Sequence, residues 1–449
     1  MSASEHAANY ASPISSNTSP ATNVAVIGAG WAGMAAAVML SERGVPVAVF
    51  EASRILGGRA RRVVMQGTEL DNGQHILIGA YRETLALMRR VGAETHALLL
   101  RLPLELRFAG GFHLRAPRVP YPLNLLIGLL FARRLDTRQA LAGIRFISRL
   151  RAVRFRVEPD CSVASLLEAH GQRGSLRTFL WEPLCVSALN TPPDRASARI
   201  FAKVVRDGLT GGRENSDLLL PRVDLSRAFP EPAAEFVKRR GGLIELSAAV
   251  RRIRRENNHF RLDDRPQRFD HVIVACAPQH ALALINDFPE LNAARIAIEA
   301  LDYEPIYTCY LQYPDSVCLP SPMIGFTGGL VQWAFDRGKT SGRQGLIAAV
   351  VSSSGAHEEF SQDELSRRIH RELSGTIGDL PAPLWSRVIA EKRATFSCRP
   401  GLTRPPTRTP VARLLLAGDY TDSDYPGTLE AAVRSGVSAA RAVFETPGC

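Results

Sequence analysis

From Asn23 to Val63 the chain reads NVAVIGAGWAGMAAAVMLSERGVPVAVFEASRILGGRARRV, and no other stretch restricts the fold as tightly. Val24, Ala25, Val26 and Ile27 form a short apolar run of buried-strand type. Gly28-Ala29-Gly30-Trp31-Ala32-Gly33 follows at once and leads into an Ala-rich helical segment, Met34 to Arg43. A strand-turn-helix that cradles a pyrophosphate needs each glycine for its own reason: a tight turn at Gly28, close approach of phosphate at Gly30, and close helix-to-strand packing at Gly33. A second apolar run, Val45 to Phe50, ends in Glu51, where a carboxylate accepts hydrogen bonds from a ribose diol. Strand, glycines, helix, strand and acid in this order predict a Rossmann-like dinucleotide site in an α/β fold. A glycine-rich turn that binds nothing is the plainer alternative, and spacing alone leaves NAD and FAD both open.

At 449 residues the chain is too long for one ordinary domain, so two intertwined lobes are expected. Apolar residues at 45% and charged residues at 22% fit a soluble or surface-bound globular protein. The first twenty or so residues, through ASPISSNTSPAT, are small, polar and Pro-containing without a basic start and apolar run; they predict a disordered tail over 1–20, not a signal peptide, and hence a cytoplasmic location. Seven scattered cysteines (Cys161, Cys185, Cys276, Cys309, Cys318, Cys398, Cys449) without a CxxC pair argue for buried thiols, with neither a disulfide framework nor a metal site. The net charge of +11 is carried almost wholly by arginine and favours anionic partners, nucleic acid or anionic lipid head groups. No nucleic-acid motif stands behind it.

The continuation past Glu51 narrows the cofactor. Glu51-x5-Gly57-Gly58-Arg59 offers a second backbone approach and a guanidinium able to meet a pyrophosphate. These residues resemble the flavoprotein superfamily of amine oxidases, protoporphyrinogen oxidases and carotenoid-type desaturases, and the resemblance implies FAD. It also implies cofactor contacts farther along the chain. Val250, in GGLIELSAAVRRIRREN (Gly241 to Asn257), would offer backbone to the adenine. In RLLLAGDYTDSDYPGTLEAAVRSGVSAARAVF, Gly418 and Asp419 would serve the ribityl and pyrophosphate region, and a helix beginning near Gly427, with Leu429 in its first turn, would point its N-terminus at the flavin ring.

The cofactor domain is therefore expected to be discontinuous, over roughly 20–105, 225–290 and 400–449, with FDHVIVACAP (Phe269 to Pro278) supplying a further strand. An inserted α+β substrate-binding lobe would occupy 105–225 and 290–400. Within it, PLNLLIGLLFARRLDTRQALAGIRFISRLRAVRFRV from Pro122 is an apolar stretch too short to span a bilayer, followed by arginines on a helical period. A basic amphipathic element near 122–156 lying on a membrane surface fits, with Arg133, Arg134, Arg138, Arg145, Arg149 and Arg151 facing anionic lipid at the inner face of the cytoplasmic membrane. An ordinary core helix followed by a solvated basic one fits the same pattern.

Three further stretches, LDNGQHILIGAYRETLALMRRVG (Leu70 to Gly92), FLWEPLCVSALNTPPDRASARIFAKVV (Phe179 to Val205) and LAGDYTDSDYPGTLEAAVRSG (Leu416 to Gly436), resemble the squalene-associated FAD-dependent desaturases, or hydroxysqualene dehydroxylases, of hopanoid biosynthesis. That resemblance implies a hydrophobic triterpene alcohol as substrate and replacement of its allylic hydroxyl by hydride from reduced flavin, to give squalene, with the electron donor unidentified. An acid must protonate the leaving hydroxyl. Asp71 and His75, in Asp71-Asn72-Gly73-Gln74-His75, would lie where the chain passes the flavin ring, although both also fit plain structural roles. Glu182, Asp422, Asp424 and Tyr425 are further candidates, while Phe179, Trp181 and Leu184 read as tunnel lining or core. The rivals are a polyprenoid desaturase running hydride transfer the other way, an amine oxidase, which the basic surface disfavours, and a prenyl-lipid carrier on the same fold, which would not need the intact glycines, Glu51 and Arg59.

Overall fold

The computed structural model describes residues 22–65 and 67–445. The expected tail over 1–20 and Cys449 lie outside the described residues. Five parallel strands form the central sheet in the order Leu243–Glu245, Val47–Phe50, Val24–Ile27, His271–Val274, Leu414–Leu416. All are short, and apart from His271 the three inner runs are apolar because both faces of the sheet are covered. Val24, Val26, Val49, Ile273 and Leu415 face a helical layer, while Ala25, Ile27, Phe50, Val272 and Leu414 face the other side of the sheet.

The helical layer is made by Trp31–Glu42, Pro230–Arg239 and Leu429–Phe444. Trp31–Glu42 starts three residues earlier than the sequence suggests and is buried over most of its length. Its alanines let Leu429–Phe444 approach so closely that a Cβ on Gly436 would lie 2.0 Å from the Ala32 carbonyl oxygen. The opposite face carries a small antiparallel sheet of Ile253–Glu256, His259–Leu262 and Arg268–Phe269. It turns Ile253, Phe260, Leu262 and Phe269 inward and leaves Arg254, Arg255 and Arg268 in solvent. Only the first part of Gly241 to Asn257 thus joins the parallel sheet; its end belongs to this separate layer.

The second lobe is built on an antiparallel sheet in the order Met323–Gly325, Trp333–Asp336, Leu346–Ser352, Tyr303–Gln312, Trp385–Phe396. The Gln362–Ile377 helix packs Leu365, Ile369 and Leu373 on one face, and the other face looks toward the helices of residues 123–209. The 122–156 region folds as two helices, Leu123–Leu130 and Thr137–Ala152, and no described helix is long and apolar enough to cross a membrane. The six described cysteines are free thiols; Cys185, Cys309 and Cys398 are buried, but Cys318 is exposed, which departs from the expectation of buried thiols.

The helix-to-helix approach at Gly436 gives a direct test. Gly436→Ala forces the two helices apart, and overpacking of this kind costs about 1–3 kcal/mol. The expected result is a lower Tm in thermal unfolding, together with reduced cofactor content, because both helices begin beside the nucleotide cradle described next.

Candidate functional site

The candidate residues gather at the carboxyl ends of the parallel strands, where open α/β sheets bind their ligands. Gly28 takes φ +105° as the chain leaves the Val24–Ile27 strand, and a Cβ on Gly33 would fall 1.9 Å from the Gly28 carbonyl oxygen. Both positions therefore demand glycine for the reasons the motif suggests. Glu51 ends the neighbouring strand, and its carboxylate accepts from the Ala29 N–H at 2.7 Å and the Ser53 N–H at 2.8 Å. The acid is thereby fixed beside the glycine turn.

A second loop closes on the first. Gly57 N–H donates to the Ala29 carbonyl at 3.0 Å, and Trp31 Nε1 donates to the Ala60 carbonyl at 3.2 Å. Gly58, at φ +63°, passes so close to Gly30 that a Cβ would meet the Gly30 Cα at 3.2 Å. The Trp31–Glu42 helix opens at Gly30 without a side-chain cap, so its first N–H groups remain for an anion. Two glycine backbones and an uncapped helix N-terminus make a phosphate cradle that any Cβ would begin to fill.

Arg59 extends the cradle to two distant segments. Its Nη1 donates to the Ala394 carbonyl at 2.7 Å, and its Nη2 pairs with Asp419 Oδ1 at 2.5 Å. Burial works against the charge, but Asp419 and Glu391 outweigh it and hold the guanidinium above its usual range. Gly418 N–H donates to Ser435 Oγ, anchoring the Gly418-Asp419 turn on the Leu429–Phe444 helix. Thr428 caps that helix through the Ala431 N–H, so the helix begins at Leu429, two residues after Gly427. Val250 is half-buried just past the segment that follows Glu51, where Ala248 N–H donates to the Glu51 carbonyl, and its own N–H has no partner among the described residues.

Tyr420 carries a signal the sequence reading missed. Its ring is fully buried, its hydroxyl has no partner among the described residues, and burial drives its pKa well above the ordinary range. An orphaned phenol between Cys276, Asp419 and Arg59 is a donor waiting for an acceptor. The triplet Gly418-Asp419-Tyr420 is plain in the sequence, whereas the orphaned hydroxyl shows only in the folded chain.

The Asp71–His75 segment runs between the cradle and the antiparallel sheet. Asn72 Nδ2 donates both to the Arg59 carbonyl at 3.1 Å and to Glu391 Oε2 at 3.0 Å, which brings in a carboxylate that sequence reasoning did not single out. His75 is held through Nδ1 against the Gly73 carbonyl at 2.9 Å, and burial, reinforced by Arg59, lowers its pKa. Asp71 lies at the start of this segment, held by contacts of its own. Its Oδ1 accepts from the Leu225 N–H at 2.8 Å, Arg337 stands 3.9 Å from Oδ2, and its backbone carbonyl accepts from Tyr310 Oη. One carboxylate oxygen is held within the cofactor domain at Leu225, the other faces Arg337 of the second lobe, and burial pushes the group up to about 6.

The remaining candidates lie elsewhere. Glu182 pairs with Arg177 at 2.7 Å, Asp422 and Asp424 are exposed with Asp424 near Lys203, and Tyr425 donates to Asp207 at 2.7 Å. None of these carboxylates is enclosed. Phe179 stacks on Phe112 with centroids 4.8 Å apart, and Phe108 touches Phe179 at 5.2 Å and Trp333 at 5.3 Å, so four rings form one apolar cluster. Trp181 is core, fully buried and bonded to Gln172. Leu184 is half-buried beside it in the same core.

Residues 31–444 match the family described as flavin containing amine oxidoreductase. The chain belongs to that family. It is similar to a hydroxysqualene dehydroxylase of Sinorhizobium fredii at 29% identity, over 93% of this chain and 97% of the relative, and to one of Zymomonas mobilis at 28%, over 92% and 97%. A probable zeta-carotene desaturase of Synechococcus elongatus is 25% identical over 94% of this chain and 98% of its own length. Among solved structures, a redesigned putrescine oxidase matches with TM-score 0.72 at 17% identity, over 94% and 98% of the two chains, and cyclohexylamine oxidase from Brevibacterium oxydans with TM-score 0.68 at 21%, over 95% and 99%. At such identities the solved structures speak for the fold alone.

The chain is an FAD-dependent oxidoreductase of α/β architecture, and its residues fit the cofactor. The glycine cradle would take the pyrophosphate, Glu51 the adenosine ribose, Arg59 and Asp419 the charge and hydroxyls between, and Tyr420 an acceptor at its orphaned hydroxyl. The carrier reading loses its ground.

Asp71 supplies a pH test. Its folded carboxyl holds a proton more tightly than the ordinary value of 3.8 allows, so this contribution to stability is present below about pH 4 and is lost as pH rises through about 6. A shift of this size is worth on the order of 3 kcal/mol. Asp71→Asn keeps an acceptor for Leu225 and removes the titration. Thermal melts across that window should show the Tm difference, variant minus wild type, growing with pH; a flat difference would mean that Asp71 carries no such burden.

Proposed function

We propose that the chain is a hydroxysqualene dehydroxylase of squalene and hopanoid biosynthesis, removing the allylic hydroxyl of hydroxysqualene to give squalene. The observation that carries this reading is full-length similarity, at 28–29% identity, to three proteins of that name, against 23–25% to the zeta-carotene desaturases. When bound and reduced, FAD supplies the hydride. The chain's own residues must do the rest: deliver a proton to the departing oxygen, so that it leaves as water, and keep other water away from the allylic cation.

His75 is the proton carrier in this reading. With Nδ1–H donated to Gly73, Nε2 is the position that loads and releases a proton. Burial and Arg59 make the imidazolium a stronger acid than an exposed one, which suits delivery to an alcohol. Phe108, Phe112, Phe179 and Trp333 supply apolar wall near the substrate lobe's inner face. Asp71 anchors the loop.

The test is an anaerobic single turnover. The purified protein's flavin is reduced chemically, hydroxysqualene is added in detergent, and flavin absorbance is followed beside product mass. Reoxidation matched by squalene is the expected result; flavin that stays reduced over unchanged alcohol would sink the proposal. Oxidation of a polyprene by the oxidised enzyme would instead make it a desaturase. The rate should fall as pH rises through the depressed His75 pKa, below 6.5, and this limb should vanish in His75→Gln, which retains FAD.

A further inference from the structure

The Leu123–Leu130 and Thr137–Ala152 helices carry a strongly unbalanced surface. Between Pro122 and Arg156 stand eight arginines against one acid, Asp136, and Asp136 is spent on capping the second helix through the Gln139 N–H at 2.7 Å. All eight arginines are exposed, and among the described residues none of them enters an ion pair. Arginines elsewhere behave otherwise: Arg62, Arg101, Arg252 and Arg368, for example, each meet a carboxylate.

Exposed apolar side chains stand on the same helix pair and its connections. Phe131 is 80% exposed and Leu123 53%, and Leu130, Leu141 and Val153 are exposed with them. The second helix is split along its length. Ala140, Gly143, Phe146 and Leu150 are buried, while Arg138, Leu141, Arg145 and Arg149 recur on the opposite stripe in solvent. An exposed Leu123, Leu130 and Phe131 together with guanidinium groups that meet no carboxylate are complementary to one kind of partner, an anionic surface with an apolar layer directly beneath it.

We infer that this helix pair is a docking face for an anionic phospholipid bilayer, with Phe131 and its leucine neighbours entering the acyl boundary and the arginines meeting lipid phosphates. A polyanion such as nucleic acid would satisfy the arginines and leave the apolar tip in water. Behind the face, Gly128 packs on the Arg115–Ala116 backbone and Arg133 bonds to the His113 carbonyl, in the segment that also bears Phe108 and Phe112. The docking face is thus braced against the aromatic cluster. On the dehydroxylase reading, that places the entry for a lipid-soluble alcohol beside the bilayer; the docking itself rests on the surface alone.

The experiment is co-sedimentation of the full-length holoprotein with vesicles of phosphatidylcholine, alone or mixed with phosphatidylglycerol, across a salt series. Binding to the mixed vesicles, weakened by salt, is expected, and the triple variant Arg138→Glu, Arg145→Glu, Arg149→Glu should lose on the order of a hundredfold in affinity. Arg89→Glu, Arg239→Glu, Arg251→Glu together change the net charge equally at exposed sites elsewhere and should bind as wild type does. Leu123→Ser, Phe131→Ser should bind at low salt but release at high salt. Flavin content and Tm confirm that each variant is folded. Absence of wild-type binding to mixed vesicles, equal loss in the control triple variant, or preferential capture of duplex DNA over vesicles at matched salt would each overturn the inference. None of these readouts depends on turnover, so failure here leaves the dehydroxylase reading untouched.

Discussion

The pair between Arg59 and Asp419 is the tie on which the rest of the architecture depends. It joins residues 360 apart in sequence, and the same guanidinium reaches Ala394 in the second lobe. A partly buried ion pair gives little net stability, because desolvation offsets the attraction, but removing Arg59 would strand the buried Asp419 carboxylate. The pair therefore acts less as glue than as a register mark. It lets the cofactor cradle exist only when the first, last and inserted segments are in place together.

A second polar node holds the substrate lobe to itself. Glu304 is almost fully buried and is satisfied by Arg195 at 3.1 Å, Ser397 at 2.8 Å, and the Ser354 N–H and hydroxyl at 3.0 Å each. Asn190, in the left-handed region at φ 47°, ends the Glu182–Leu189 helix and binds Thr395 and the Glu304 and Pro305 carbonyls while accepting from Ser353. With every member paired, such a network fixes one arrangement of helices on sheet, since slippage would leave buried groups unsatisfied. The aromatic cluster then packs against a wall that does not shift.

What could be read in advance divides by range of interaction. Gly28, Gly30, Gly33 and Glu51 act through a local strand-turn-helix, so spacing disclosed them, and Gly57, Gly58 and Arg59 came with them through a family resemblance. The unbroken apolar run Val24–Ile27 already read as a buried strand. The partners of Asp71, Leu225 and Arg337, could not be read in advance because they lie more than 150 residues away. No periodicity encodes that meeting. Glu391 escaped notice for the same reason: in a strand it looks like any outward acid until Asn72 is placed beside it. The basic run after Pro122 left two readings open, because a sequence shows how many arginines there are but not whether carboxylates await them.

The electrostatics of the cradle and the chemistry proposed for His75 share one source. Arg59 and the start of the Trp31–Glu42 helix set a positive field where the cofactor's phosphates belong, and the Leu429–Phe444 helix adds the end of a second dipole. That field opposes a proton on any nearby base, and Arg59 is among the causes that lower the His75 pKa. Holding an anionic cofactor and sharpening a neighbouring acid are then two results of the same charge. Glu391 tempers the field from the second lobe, and Asn72 fixes its distance from Arg59. Moving Glu391 closer would weaken the acid, and removing it would leave Arg59 with its Asp419 pair but without the field of a second carboxylate. The geometry sets His75 between those limits.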